Sequence, residues 1–439
     1  MRLRGSLQPL RRFIPGGRFG RSVTVLAGGA AFGQGITVLV SPVLTRLYTP
    51  DDFGVFGVYA SILGIVTVVA SLRYEYAIPL PEEDGVAANI VALCFVVLLG
   101  MTGLISVAIG FTGRQLVSWA NAPELGPYLW LFPLGILGAG TYQILNYWAV
   151  RKRDFPRISR TRISRGVGRA VVQVGAGALT GGALGLLLGQ LTGETAGSAS
   201  LGLSAWKRDR AALSAVGLAP MRQAARRFRR FPLLLSWAGL LDALGLQLPQ
   251  LLLAAFYGAE VAGWFALGQR AIAAPLNIVV DSVAQVFFGE AAQMSRDQPR
   301  AVKRLFFRLA KRLAVLGGLP VAVICALAPW LFGAVFGPGW VPAGRYVQVM
   351  GLMFAVRFAV IPLAHTLNVL ERQDLYLAWD GLRLVLVVAA LLAARFANLP
   401  DVLAVGAYAA AMLVSYLALF GFAMRALRYH HMRHTEAPR

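Results

Sequence analysis

KRDRAALSAVGLAPMRQAARRFRR, residues Lys207–Arg230, holds eight Lys/Arg against one Asp, with Ala219-Pro220 near its centre. It falls at the midpoint of a 439-residue chain, and long apolar runs lie on both sides of it. Each Arg or Lys in a bilayer centre costs about +2.5 to +3.5 kcal/mol, so this stretch belongs in water. It reads as a connection between two membrane-embedded halves. The expected layout is a basic tail over residues 1–21, a first half over 22–206, the linker over 207–230, a second half over 231–424 and a tail over 425–439.

The totals agree with that division. Hydrophobic residues make up 57% of the chain, charged residues only 14%, and mean hydropathy is +0.63. A soluble domain carries about 25% charged residues. The net charge of +22 would suggest nucleic acid in a soluble chain. Here the cations lie between apolar runs, which the positive-inside rule explains, and no nucleic-acid partner is expected. Cys94 and Cys325 each sit within an apolar run and read as packing residues. No metal site is expected.

A helical span needs about 20 apolar residues. Working outward from the linker, the first half offers Ser22–Leu44, Phe53–Leu72, Val86–Phe111 and Leu125–Val150. It closes with Gly166–Trp206, which is long enough for two short spans turning at Gly181-Gly182. The second half offers Phe231–Phe256, Val261–Gln285, Leu313–Phe336, Tyr346–Leu370, Leu375–Arg395 and Val402–Met424. The expectation is an all-α polytopic membrane protein, twelve spans in two six-helix lobes, because only helices and closed barrels satisfy the backbone in lipid. Of the 42 Lys/Arg, 34 fall in the tails and in connections after even-numbered spans, including the run from Arg151 to Arg165. That places both termini on the cytoplasmic side. Tyr48–Gly57 and Tyr257–Ala266 share Tyr, an acid, Gly and Phe, a weak sign of a repeated half. Two halves inserted the same way suggest a cavity at their interface.

Charges inside spans are functional candidates. Arg270 sits in span eight, too deep to reach the interface, and Arg357 lies mid-span ten. Arg46 ends span one, where an interfacial anchor is an equal reading. Arg73 and Glu75 lie together at the inner end of span two and could pair or gate. Asp242, Glu194 and Asp281 are candidates for ion coupling, since a carboxylate in low dielectric holds a proton or Na⁺. Asp380 and Arg383, three apart, read as a structural pair. No cofactor is expected beyond H⁺ or Na⁺ coupling, and no nucleophile elbow, Walker sequence or zinc-type His spacing points to an enzyme.

Three stretches carry a resemblance. Ser41-Pro-Val-Leu-Thr-Arg-Leu-Tyr-Thr-Pro-Asp-Asp-Phe-Gly54, Leu72-Arg-Tyr-Glu-Tyr-Ala-Ile-Pro-Leu-Pro81 and Gln143-Ile-Leu-Asn-Tyr-Trp-Ala-Val-Arg151 resemble the polysaccharide-export, Wzx-type branch of the MOP flippase superfamily. Gly263, Gln269-Arg270, Pro275 and Gln285-Val-Phe-Phe288 are similar as well. The resemblance implies two lobes in a V around a polar cavity. It implies a polyprenyl-diphosphate-linked oligosaccharide, an O-antigen or exopolysaccharide unit, carried from the cytoplasmic to the periplasmic leaflet of a bacterial inner membrane under an ion gradient. It also places Arg270 where the related lipid II flippases keep a cavity arginine, and Arg46 in a Leu-Thr-Arg motif. Membrane lipids and a polysaccharide polymerase or export machinery are the further partners it implies. Arg270, Arg357, Arg46 and Arg73 would meet the diphosphate, because guanidinium binds phosphate bidentately and stays charged. Trp237, Trp264 and Tyr142 could stack on sugars. The rival reading is a cation-coupled drug exporter of the MATE branch, which would favour acids in the cavity.

Overall fold

The computed structural model describes residues 18–297 and 299–436. The expected N-terminal tail lies, over residues 1–17, outside the described residues, as do 437–439 at the other end. Among the described residues every regular element is helical. In the first half these are α1 (Arg18–Leu39), α2 (Ser41–Leu47), α3 (Pro50–Val69), α4 (Asp84–Trp119), α5 (Leu131–Arg151), α6 (Phe155–Thr180), α7 (Leu184–Thr195) and α8 (Ser198–Arg208). The linker forms α9 (Leu218–Arg227). The second half contains α10 (Ser236–Tyr257), α11 (Ala259–Asp297), α12 (Pro299–Leu313), α13 (Leu319–Ala326) and α14 (Ala328–Phe336). It ends with α15 (Val341–Val349), α16 (Gly351–Val369), α17 (Gln373–Phe396) and α18 (Asp401–Glu436).

Among the described residues, eight helices are long and apolar enough to cross a membrane, and nine if the pair α13–α14, bent by 63°, counts as one broken span. This is a multi-pass membrane protein. The expected spans four, five and six are occupied by α5, by α6 and by the α7–α8 pair, which are helical but more polar. The Gly181-Gly182 turn is where the sequence places it, with φ of +61° and +66°.

One boundary needs correction. The fifth span was expected from Gly166, with Arg151 to Arg165 as a loop. Instead α6 begins at Phe155, so Arg157, Arg160, Arg162 and Arg165 are helical. Pro156 suits a first helical turn, where its missing N–H goes unused. A tight turn through Arg153, at φ +55°, is all that joins α5 to α6. Hydropathy missed these turns because they are arginine-rich, with Arg157 paired to Asp154, Arg165 paired to Glu194 and Arg160 exposed at the surface. The consequence is that Arg165 and Arg169 stand one turn apart on a single helix face.

The linker is helical and pinned to α4. Asn89 donates to the Ala215 carbonyl at 2.9 Å and accepts from the Gly217 N–H at 3.0 Å. Tyr74 Oη donates to the Ala225 carbonyl at 3.2 Å. Ala224 is buried, while Arg222, Arg226, Arg227, Arg229 and Arg230 are exposed.

Among the described residues, the two largest apolar cores both reach across the linker. The first takes Leu44, Tyr48, Phe53 and Leu186 into a cluster otherwise built from the second half. The other takes Leu251, Ala254 and Ala262 into a cluster built from the first half. The crossing point is α3 against α10 and α11. There the two similar stretches meet face to face. A Cβ on Gly54 would collide with the Ala259 carbonyl, and one on Gly263 with the Pro50 carbonyl, so backbone rests on backbone. A second close approach joins α1 to α6, where a Cβ on Gly166 would lie 2.5 Å from the Gly33 carbonyl oxygen.

Candidate functional site

The contact of α3 with α10 and α11 closes one end of a polar cavity of about 430 Å³. Thr37 of α1, Phe56, Ala60, Leu63, Gly64 and Thr67 of α3, and Ala139 of α5 line it, together with Arg169 of α6 and Gln190 and Glu194 of α7. Gln247 of α10 and Arg270 of α11 complete the wall. Arg270 stands eleven residues into its helix, about 16 Å along the axis. That is near the middle of a hydrocarbon core of about 30 Å.

Arg270 enters from the second half. Its Nη2 donates to the Thr37 carbonyl at 3.1 Å and to Gln173 Oε1 at 3.4 Å. Gln173 is wholly buried and held in turn by the Leu186 carbonyl. Both acceptors are neutral. Among the described residues no carboxylate lies within 4.0 Å of this guanidinium, and its buried Nε has no partner. Arg270 therefore brings an uncompensated positive charge to the cavity.

Glu194 faces it from the first half. One oxygen accepts from Arg165 Nη2 at 2.6 Å, the other from Arg169 Nη2 at 3.3 Å and Gln190 Nε2 at 2.9 Å. The lining carries two guanidiniums and one carboxylate, a net positive wall suited to an anion.

The structure distributes the other predicted residues elsewhere. Arg46 lies in the last turn of α2, exposed, and donates to the Pro42 carbonyl at 3.4 Å, away from the cavity. Arg73, at φ +59°, donates to Tyr76 Oη at 3.0 Å and reaches across to Gly239 of the second half. Glu75 is buried beside it, 4.0 Å away, accepting from Ser71 Oγ at 2.6 Å and Gln143 Nε2 at 2.9 Å. Arg357 donates to Asn277 Oδ1 at 2.8 Å, with the exposed Asp281 within electrostatic reach. Asp242 accepts from Arg383 at 2.9 Å, and Asp380 shares that guanidinium at 3.1 Å. Of the sugar-stacking candidates, Tyr142 carries the Arg165 guanidinium 4.1 Å above its ring, and Trp264 Nε1 is bound to the Gly339 carbonyl. Trp237 is exposed. Of the charged site candidates singled out from sequence, Arg270 and Glu194 share the cavity, and Gln247, a polar residue of the same span as Asp242, lines it with them.

Arg165 and Arg169 as a pair were missed. Their signal was present: two arginines four apart, then a lone glutamate, within a Gly/Ala-rich run that turns back on itself.

Residues 43–345 match the profile of a family described as "Polysaccharide biosynthesis protein". The chain belongs to that family. Among characterised relatives, the teichuronic acid biosynthesis protein TuaB of Bacillus subtilis (strain 168) is 24% identical over 142 residues. That match covers 32% of this chain and spans only 29% of TuaB's length. The lipid II flippase MurJ, in an inward closed conformation, superposes with a TM-score of 0.69 at 9% identity, covering 94% of this chain and 93% of MurJ. An inward-facing multidrug resistance MATE transporter of the MOP superfamily gives 0.66 at 14% identity, covering 93% and 95%. This polysaccharide biosynthesis family member thus has the MOP transporter fold.

Proposed function

We propose that the protein is a flippase that carries a polyprenyl-diphosphate-linked oligosaccharide from the cytoplasmic to the periplasmic leaflet by alternating access. The observation that carries this reading is the uncompensated Arg270 facing Arg169 across a mid-membrane cavity. A bare diphosphate cannot cross hydrocarbon, whereas two guanidiniums replace its water with charge-assisted bonds. The sugars would follow the head through the cavity while the polyprenyl chain stays in lipid. Membership of a polysaccharide biosynthesis family and the similarity to TuaB, a teichuronic acid biosynthesis protein, support a sugar cargo, and the likeness to the lipid II flippase MurJ supports a lipid-linked one.

In this reading the basic linker and both termini face the cytoplasm of a bacterial inner membrane, and residues 22–206 and 231–424 act as two lobes. The packed ends at Pro50 and Ala259 then close the periplasmic side. An ion gradient drives the cycle, with Glu194 the cavity carboxylate best placed to sense it. Asp242 already holds Arg383 and is a weaker candidate. A polysaccharide polymerase is the expected downstream partner.

The test is flipping in proteoliposomes with a polyprenyl-diphosphate oligosaccharide, for wild type and Arg270→Ala, with and without a proton or Na⁺ gradient. Loss of one charge-assisted contact, about 1.5–3 kcal/mol, should slow the variant by about 10- to 100-fold. Wild type that moves organic cations and no lipid diphosphate would replace this reading with MATE-type export.

A further inference from the structure

Glu194 is an anion sitting among the guanidiniums of a site read here as anion-binding. Its two arginines are held very differently. Arg165 is anchored three times, by the 2.6 Å bond to Glu194, by donation from Nε to the Gly193 carbonyl, and by stacking on Tyr142. Arg169 has a single 3.3 Å bond to the same carboxylate, and its buried Nε has no partner. Guanidinium has five donors, so Arg169 has donors to spare, and it lines the cavity where Arg165 does not. Arg169 and Arg270 also lie within electrostatic reach of each other. Two like charges share one space, and only one of them has a counter-charge.

We propose that Glu194 is a built-in competitor of the cargo: it occupies Arg169 while the cavity is empty and yields it when a diphosphate head enters. The proposal rests on the flippase reading and adds a regulator to it. Arg165 keeps the carboxylate anchored to α6 throughout, so the exchange needs only the loosely held Arg169 to turn from Glu194 toward the head group. Such a competitor has a purpose in transport. Two bare guanidiniums would bind a diphosphate tightly in every state, and a site must be weak enough to leave as well as strong enough to enter. When the head departs, Glu194 takes Arg169 back and no naked charge is left behind.

A competitor and a structural tie at Glu194 predict effects of opposite sign on binding. Glu194→Gln keeps the shape and removes the competing charge. In detergent, binding of farnesyl diphosphate should tighten by about tenfold, the scale of one charge-assisted contact, while turnover at saturating cargo falls because release slows. Gln190→Glu, which adds a second carboxylate to the same wall, should weaken binding by a similar factor. Arg169→Ala should weaken binding, and combined with Glu194→Gln it should abolish the gain. Glu194→Asp retains the charge and should bind as wild type does.

If Glu194 merely ties α7 to α6, Glu194→Gln loosens the site and binds more weakly; equal or weaker binding by that variant overturns the proposal. Should it not fold, unchanged affinity in Gln190→Glu overturns it instead. Farnesol, lacking phosphate, is the control. Wild type that binds farnesyl diphosphate no better than farnesol would sink the flippase reading itself, a result distinct from failure of the competitor.

Discussion

Arg270 and Glu75 show how differently two buried charges can be treated. Arg270 is left without a counter-ion, whereas Glu75 is wrapped in neutral donors with Arg73 at a distance. Burial raises the Glu75 carboxyl above its ordinary value of 4.5, against the lowering effects of the Ser71 bond, the backbone and Arg73. The native protein therefore holds this proton at pH values where the unfolded chain has released it. In that window the unfolded state binds fewer protons, so stability falls as pH rises. Wild type should melt at higher temperature as pH is lowered from neutral toward the ordinary carboxylate range. Glu75→Gln should lack that share of the gain; identical pH profiles for the two proteins would mean that Glu75 stays ionised when folded. At this scale the sequence shows which charges are out of place but not what they touch. Arg270 and Glu194 were visible because each interrupts an apolar run. Arg169 was visible too, but its role depends on Glu194 folding back against it through the turn at Gly181-Gly182. Arg357 looks like Arg270 in sequence, mid-span and charged, and differs in donating to Asn277 instead of entering the cavity, whereas Arg46 lies at a helix end.

Among the elements, the apolar helices were legible and the polar ones less so. Hydropathy reports the average of a helix, and α6 has arginines on several faces that find partners in α7, in α5 or at the surface. A helix that lines a cavity has no need to be uniformly apolar, so the property that makes α6 functional also blurs its start. What holds it is the close crossing with α1. Gly166 meets the carbonyl of Gly33, a backbone atom that cannot rotate away as a side chain would. Gly166→Leu should cost about 1–3 kcal/mol as an overpacked contact, read as a lower melting temperature in detergent. It should also weaken farnesyl diphosphate binding, because Arg169 lies on the same helix less than one turn on. An unchanged melting temperature would show that α1 can shift aside.

For the whole molecule, the even count of expected spans and the run of basic linker residues led to two lobes, and the resemblance led to the MOP fold. The intimacy of the contact between the halves was not legible. Tyr48–Gly57 and Tyr257–Ala266 looked alike in sequence; nothing in that likeness said they would touch. They do touch, through Gly54 and Gly263, and that contact closes one end of the cavity. Gly263→Val should hold this end apart. A cysteine at Thr37, on the cavity wall, should then react faster with a thiol reagent added from the side of the packed end, periplasmic in the flippase reading, than the same cysteine in an otherwise wild-type chain. Equal labelling rates would place the closure elsewhere.

The cavity wall is unevenly shared. Ten of its twelve lining residues come from before the linker, and only Gln247 and Arg270 come from after it. In the flippase reading, a head group seated there would be a passenger of the first half. Parting the halves would lift Arg270 away like a lid and leave the rest of the berth intact. In the flippase reading, withdrawing that one guanidinium at a distance would add to the competition from Glu194, so that the swing of the molecule would itself help loosen its hold.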